Sequence, residues 1–279
     1  MLPCKISKVQ TIEKMRNVIS VHEFSNPTEQ RSMQNEQALP VNQFLFERHP
    51  VQLAIDLLQL RTVKAYVLKN PEGSVYRFLR SEEHARQFAS GKIYISTLEA
   101  CRAYEEEGRG DAEEGYEQRV IDHARGGSND PAFVELARKV SIHIGEGCSN
   151  VSLRNVKSIN SIHDAYVLCT TDQFDPKKLG PRYGEYCVEI TNPFAFFNVV
   201  TQALLGHTAL KEAAMGPIIY KERLIKNMDE SPGPIGFVKP PDIYASDREY
   251  RFLWTVIQAE IKGILIDVPD ASRYLKRLV

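Results

Sequence analysis

The chain has 279 residues, 43% hydrophobic and 25% charged, enough for a full core and ordinary for a globular protein. Its formal net charge of −1 excludes the global basic field of a general nucleic-acid binder and leaves only a local basic groove open. Five scattered cysteines, an odd count without a CxxC, argue against a disulfide framework and predict a reducing, cytoplasmic setting.

The opening residues, MLPCKISKVQTIEKMRN, lack the apolar centre of a signal peptide. Residues 1–47 are polar and weakly periodic, and read as an N-terminal extension. Residues 48–70 lead into a main domain over 71–279, and Val51 to Arg61 has the spacing of an amphipathic helix. Lys64 to Leu68 and Val75 to Leu79 flank Asn70-Pro71-Glu72-Gly73, turn chemistry that predicts a hairpin. Ser81 is placed to cap the helix EEHARQFAS, whose first turn carries two acids and which Gly91 stops. A strand from Lys92 follows, and Thr97 opens a second helix carrying Leu98, Cys101 and Arg102. Glu105 to Glu117 is acidic and punctuated by glycine; it reads as a loop, either a solvated turn or a functional one.

Pro131 fits the first position of a helix, PAFVELARKV, after the turn at Gly126 to Asp130. Tyr166 to Thr170 and Glu185 to Ile190 read as strands, and Pro193 to Leu205 as a Phe-rich core helix. That helix is too short, and with Asn198, Thr201 and Gln202 too polar, to span a bilayer. Pro217 to Tyr220 is a further strand, and Asp229 to Asp242 a proline-rich loop. Strands over Glu249 to Ile257 and Ile261 to Val268 close the chain, with a short helix after Pro269. Strands and helices mix without regular alternation, which predicts an α+β fold.

No P-loop, dinucleotide fingerprint, GxSxG elbow or HExxH occurs, and the histidines are isolated, so no metal site is expected. Three strands carry unusual polar residues. Arg77 sits within the otherwise apolar-aromatic Val75-Tyr76-Arg77-Phe78-Leu79; it either faces solvent or holds an anion such as phosphate. Ser96-Thr97 ends a strand that also carries Tyr94, and its hydroxyls suit a helix cap, a site, or both. Asp247 and Glu249 share a face if the strand already begins there; otherwise they make a charged entrance with Arg248 and Arg251.

Taken together, Tyr76-Arg77, Tyr94-x-Ser96-Thr97 and Asp247-x-Glu249 resemble the Arg–Ser–Glu arrangement of the ADP-ribosyltransferase superfamily. The chain is also similar to little-characterised bacterial proteins with an ADP-ribosyltransferase-like fold, some from toxin–antitoxin and phage-defence systems. Tyr76-Arg77-Phe78, Gly91, Asp111 with Glu114-Gly115, Tyr220-Lys221 and Asp247-x-Glu249-x-Arg251 carry that second likeness, over about Val75 to Val268. The resemblance implies a split β-sandwich with flanking helices, NAD as co-substrate without metal, and transfer of ADP-ribose to a nucleic acid or protein. In that scheme Arg77 holds the diphosphate or its ribose. Tyr76 and Thr97 line the NAD site, Tyr94 flanks nicotinamide, and Ser96 supports the glutamate or the ribose. Glu249 stabilises the oxocarbenium-like ribose, and Asp247 orients or deprotonates the acceptor, while Arg102, Arg109 and Arg119 beside the acidic loop either touch a nucleic acid or make surface ion pairs. Hydrolysis of NAD on the same site, and a non-catalytic binding or regulatory module with a neutralising partner, are the alternatives.

Overall fold

The structure is a computed structural model that describes Ile6–Lys8 and residues 63–104, 110–258 and 260–279. The rest of the extension, the helix expected at Val51 to Arg61, and Arg109 lie outside the described residues.

After β1 (Ile6–Lys8) and β2 (Lys64–Val67), the chain runs through β3 (Val75–Leu79), α1 (Glu82–Ala89), β4 (Lys92–Thr97) and α2 (Leu98–Arg102). Ser81 caps α1 by accepting from the His84 amide, and Gly91 follows at φ +91°, the left-handed geometry that a helix stop demands. Thr97 caps α2 in the same way, accepting from the Ala100 amide. Then come β5 (Tyr116–Gly126), α3 (Pro131–Lys139), β6 (Ile142–Ile144), β7 (Val151–Ser161) and β8 (Ala165–Thr171). Asp130 caps α3, with Pro131 in its first turn. The remainder is α4 (Pro176–Tyr183), β9 (Tyr186–Ile190), α5 (Pro193–Leu205), β10 (Leu210–Pro217), β11 (Ile219–Tyr220), β12 (Leu224–Lys226), β13 (Val238–Lys239), α6 (Pro241–Tyr244), β14 (Glu249–Val256), β15 (Ile264–Asp267) and β16 (Leu275–Arg277).

Helices and mainly antiparallel strands give a mixed α+β architecture. The main sheet runs β16-β9-β3-β8-β14-β10-β2, with β4 joined to β8 and β15 joined to β4. Its centre is β8 against β14, paired without interruption from Glu249↔Thr171 to Thr255↔Ala165. The other edge of β8 is shared. Ser96 and Thr97 of β4 pair with Val167 and Tyr166 at one end, and Tyr76 of β3 pairs with Thr171 at the other. Between them β3 and β4 part, and the sheet branches.

The hairpin expected across Asn70 to Gly73 does not form. β2 pairs in parallel with β10 at one sheet edge, while β3 pairs with β9 and β8. The turn residues make a bend, but the strands they join have better partners elsewhere: β2 covers the free edge of β10. The acidic, glycine-rich stretch is not merely a solvated turn either, because Asp111 and Glu114 are buried.

One face of the main sheet carries Tyr250, Phe252 and Trp254 of β14 with Leu168 and Ile95, under Phe196, Phe197 and Val200 of α5 and Phe88 of α1. Trp254 stacks on Phe197 at 5.8 Å, and its indole N–H donates to Thr201 Oγ1 at 2.8 Å. The opposite face gathers Leu253, Val167, Ala214, Leu98, Ile162, Ile218 and Phe237. A separate three-stranded sheet, β12-β5-β7, packs with α3 and β6 around Ile121, Phe133, Ala137 and Leu153, and β1 adds to β6. The expectation of five reduced cysteines fails at Cys148, which is disulfide-bonded; the odd count leaves room for a bridge beside the free thiols Cys101, Cys169 and Cys187. No helix among the described residues is long and apolar enough to cross a membrane.

Candidate functional site

β14 does not begin where the charged run begins. Ala245–Asp247 is a 3-10 turn, and Arg248 takes a left-handed conformation at φ +47° before the strand starts at Glu249. This corner turns Asp247 and Glu249 to different surroundings, so they do not share a strand face. Asp247 is met by α4: Arg182 Nη1 donates to one carboxylate oxygen at 2.7 Å and the Tyr183 hydroxyl to the other at 2.6 Å. Burial pushes the Asp247 carboxyl up, and the bonds from Tyr183 and Arg182 only partly offset that.

Glu249 points to the Leu253 side of the sheet, into a cluster of buried charge. Its Oε1 accepts from Arg251 Nε at 2.8 Å and lies 2.6 Å from Arg251 Nη2; its Oε2 lies 2.8 Å from Lys239 Nζ. Lys239 Nζ is also 3.2 Å from Glu114, and Arg251 Nη1 donates to Glu114 at 2.8 Å and to the Gly236 carbonyl at 2.7 Å. Arg223 grips Asp111 with both terminal nitrogens and donates through Nε to the Val238 carbonyl at 3.0 Å. Asp111, Glu114 and Glu249 therefore face Arg223, Lys239 and Arg251, three charges against three. Burial alone would raise the Glu249 carboxyl; Arg251 and then Lys239 override it and hold it well below the usual carboxylate range. Burial would likewise lower Lys239, and Glu249 and Glu114 instead keep it firmly protonated.

Local sequence explains how the loop reaches this cluster. Asp111 accepts from the Glu113 amide through its side chain at 3.2 Å and from the Glu114 amide through its carbonyl at 2.8 Å. Gly115, at φ +75°, then swings the chain into β5 and leaves Glu114 facing inward, 1% exposed. The Glu249 amide donates to the Tyr220 hydroxyl at 2.7 Å, tying β11 to the head of β14.

The other expected site residues do not converge on Glu249. Arg77 shares its strand face with Val75 and Leu79, which belong to the Phe252 side, whereas Glu249 lies on the Leu253 side. Its Nη1 donates to the carbonyl of Cys169. That carbonyl lies in the branch of the sheet, between the rungs of β8 that pair with β4 and with β3. Arg77 thus closes a gap in the ladder, a structural use that neither the solvent-facing nor the phosphate reading foresaw. Ser96 shares a rung with Val167 and Leu253. It is four residues along β14 from the rung of Glu249, about 14 Å at ~3.4 Å per residue, and two strands across. Thr97 is spent as the α2 cap, its hydroxyl accepting from the Ala100 amide at 3.2 Å. Tyr94 is 55% exposed where β4 has left β8, with its hydroxyl against Gly263. Tyr76 does lie on the Glu249 rung, opposite Thr171, with its ring 5.3 Å from Phe174.

The arginines assigned to the acceptor are committed elsewhere. Arg102 donates to the Glu114 carbonyl at 2.9 Å and lies 5.4 Å from the centre of the Tyr116 ring. Arg119 is buried and donates to the Asn227 and Asp229 carbonyls at 2.7 and 2.8 Å. Sequence reasoning missed Lys239, Arg223, Arg182 and Tyr183 as neighbours of the two carboxylates. Nothing local marks Lys239, in a proline-rich loop, as a buried cation. Asp111, Glu114, Tyr220 and Arg251 did belong to the motif set; the structure brings Tyr220 and Arg251 to Glu249, Glu114 to its partners Lys239 and Arg251, and Asp111 to the adjoining Arg223.

The described residues hold no group of three or more His, Cys, Asp or Glu side chains able to take a metal ion. No family model matches the chain, and neither a curated protein nor a solved structure does.

Proposed function

We propose that the chain is a non-catalytic binding or regulatory module rather than an NAD-consuming transferase. One observation carries this reading: both oxygens of Glu249 are taken by Arg251 and Lys239 inside a charge-balanced, buried cluster. A carboxylate that is to stabilise a developing positive charge must offer that charge negative potential. Here the negative charge is already neutralised by two cations, and Arg77 and Ser96 are held away from it by register. The cluster instead ties the 110–115 loop, β13 and β14 into one rigid unit, which suits a preformed recognition surface.

A second reading, transfer of ADP-ribose from NAD or hydrolysis of NAD, is favoured by a different observation. Asp247, with Tyr183 and Arg182, adjoins the entrance of β14, and Tyr76 and Tyr183 pack in one apolar cluster beside it. In that scheme Asp247 is the working carboxylate and Glu249 its support. The nicotinamide–ribose bond breaks, and the ribose carbon bonds to an acceptor oxygen or nitrogen, or to water.

The deciding experiment incubates the folded protein with labelled NAD, with and without cell lysate, and measures nicotinamide release and label transfer. The module reading expects neither above the blank. Release that Asp247→Asn abolishes, in a variant with unchanged thermal unfolding, overturns it.

A further inference from the structure

The three-stranded sheet turns one face away from its core. Along β5 the buried positions are Glu117, Arg119 and Ile121, so Tyr116, Gln118 and Val120 point the other way. Gln118 pairs with Leu224 of β12 on one side and with Ile159 of β7 on the other, which sets three side chains in one rung. Ile159 is 57% exposed and Leu224 46%. Branched apolar side chains aligned across neighbouring strands make a patch, unlike apolar residues scattered singly over a surface.

A cleft of about 400 Å³ is bounded by this rung and by the outer side of the 110–115 loop, where Ala112 and Glu113 are exposed. Its walls are pinned from behind. Arg223, which lines the cleft, is held through its guanidinium by Asp111 and the Val238 carbonyl, and its own carbonyl accepts from the Gln118 amide at 3.1 Å. The Tyr116 amide donates to the Glu113 carbonyl at 3.0 Å, closing the loop onto the start of β5. The shape therefore exists before anything binds, which lowers the entropy cost of recognition.

The polar groups of the cleft are free. Among the described residues, the carboxylates of Glu113 and Glu222 and the side-chain amide of Gln118 have no ion-pair or hydrogen-bond partner. Because β5 and β12 run parallel, both acids stand at the same end of the face, ahead of the two strands. In the next rung, about 7 Å beyond Gln118, Lys226 and Lys157 flank Val120. The face is thus acidic at one end, apolar in the middle and basic at the other.

We propose that this cleft binds an extended peptide segment of a partner protein, one that carries a Lys or Arg close to a large apolar side chain; the proposal rests on the reading of the chain as a recognition module. The apolar side chain lies on Leu224 and Ile159, and the cation meets Glu113 and Glu222. The Gln118 amide, donor and acceptor at once, bonds the peptide backbone. Lys157 and Lys226 repel the cation of a peptide laid the other way round, which fixes its direction. A compact ligand fits less well, because a small-molecule site encloses most of its occupant and here both apolar floor residues stay open to water.

The test selects short random peptides displayed on phage against the folded full chain. The expected result is enrichment of sequences with Lys or Arg next or next but one to Leu, Ile, Met or Phe. Glu113→Gln combined with Glu222→Gln weakens an enriched peptide about fivefold, the scale of lost exposed charge pairs. Ile159→Ser combined with Leu224→Ser removes its binding, and Leu265→Ser, an exposed apolar residue outside the cleft, leaves it unchanged. Thermal unfolding of each variant confirms that the fold is kept. No enrichment over the blank, enrichment of acidic peptides, or binding that both double variants leave intact overturns the site, whatever the NAD assay gives. A dimer in solution that Ile159→Ser with Leu224→Ser splits also overturns it, since a second copy then covers the face. NAD turnover with peptide binding intact overturns the module reading alone.

Discussion

Arg251 Nη1 lies 2.8 Å from the carboxylate of Glu114, a residue 137 positions earlier, and both side chains are shut away from water. Arg251 meets Glu249 with its other nitrogens, so one guanidinium joins the 110–115 loop to the head of β14. Glu114→Gln leaves Lys239 and Arg251 short of one anion in a dry site. Removing one partner of a buried pair costs about 3–5 kcal/mol. The expected outcome is a loss of that order in urea unfolding, and a change under about 1 kcal/mol would show that water reaches the cluster.

Glu249 sets an acid dependence with a definite sign. Its carboxyl titrates lower in the folded chain than in the unfolded one, because Arg251 and Lys239 outweigh burial. The stability it contributes is therefore complete above the ordinary glutamate pKa of about 4.3 and is lost as pH falls below it. Burial moves Asp247 the other way, so its protonation favours the fold. Denaturant midpoints measured between neutral and strongly acid pH should fall on acidification, and the fall should be shallower in Glu249→Gln.

Trp254 is the chain's single tryptophan, which makes the packed face of the sheet visible by fluorescence. Its buried N–H donates to Thr201 Oγ1, and Thr201 in turn donates to the Phe197 carbonyl at 2.7 Å. Thr201→Val strands the indole donor in an apolar environment. The expected cost is about 1–3 kcal/mol, with a shift of the native emission maximum. An unchanged midpoint and unchanged emission would mean that the indole finds another acceptor.

Gly91 combines φ +91° with a close approach to the Val268 carbonyl, and its own carbonyl accepts from the Val268 amide at 2.8 Å. An added Cβ collides with that carbonyl and strains the backbone. Gly91→Ala should lower stability by at least the ~1–3 kcal/mol of an unfavourable backbone conformation. A thermal-unfolding midpoint equal to that of the wild type would refute this.

Much of the local structure can be read from residue order. Ser81, Thr97 and Asp130 cap the helices expected after them, and Gly91 ends α1 where its position predicts. The Phe-rich helix runs Pro193–Leu205 and sits in the core. Partnership is harder to read. The turn at Asn70 to Gly73 carries every hairpin sign, yet β2 and β3 part: β2 pairs in parallel with the distant β10, and β3 with β9 and β8. The long strands β5 and β7 are hidden because only half of each faces a core, and their polar ends mimic loops. At the site, polar and charged residues on three strands suggested convergence. Face and register decide it, and both depend on pairings between residues about ninety apart: Arg77 with Cys169, and Tyr76 with Thr171.

The shared edge of β8 has a consequence for the chain as it emerges from the ribosome. β3 and β4 have no sheet to join until residues 165–171 exist, and β8 has no central neighbour until β14 is made. Asp111 and Glu114 meanwhile wait for Arg223, Lys239 and Arg251, all encoded in the last third. A nascent chain stalled before Arg223 therefore carries unmatched acids and open strand edges, the condition under which chaperone binding or clumping sets in. Assembly is deferred to the end of translation, and the price of an early stop is the whole domain rather than its tail.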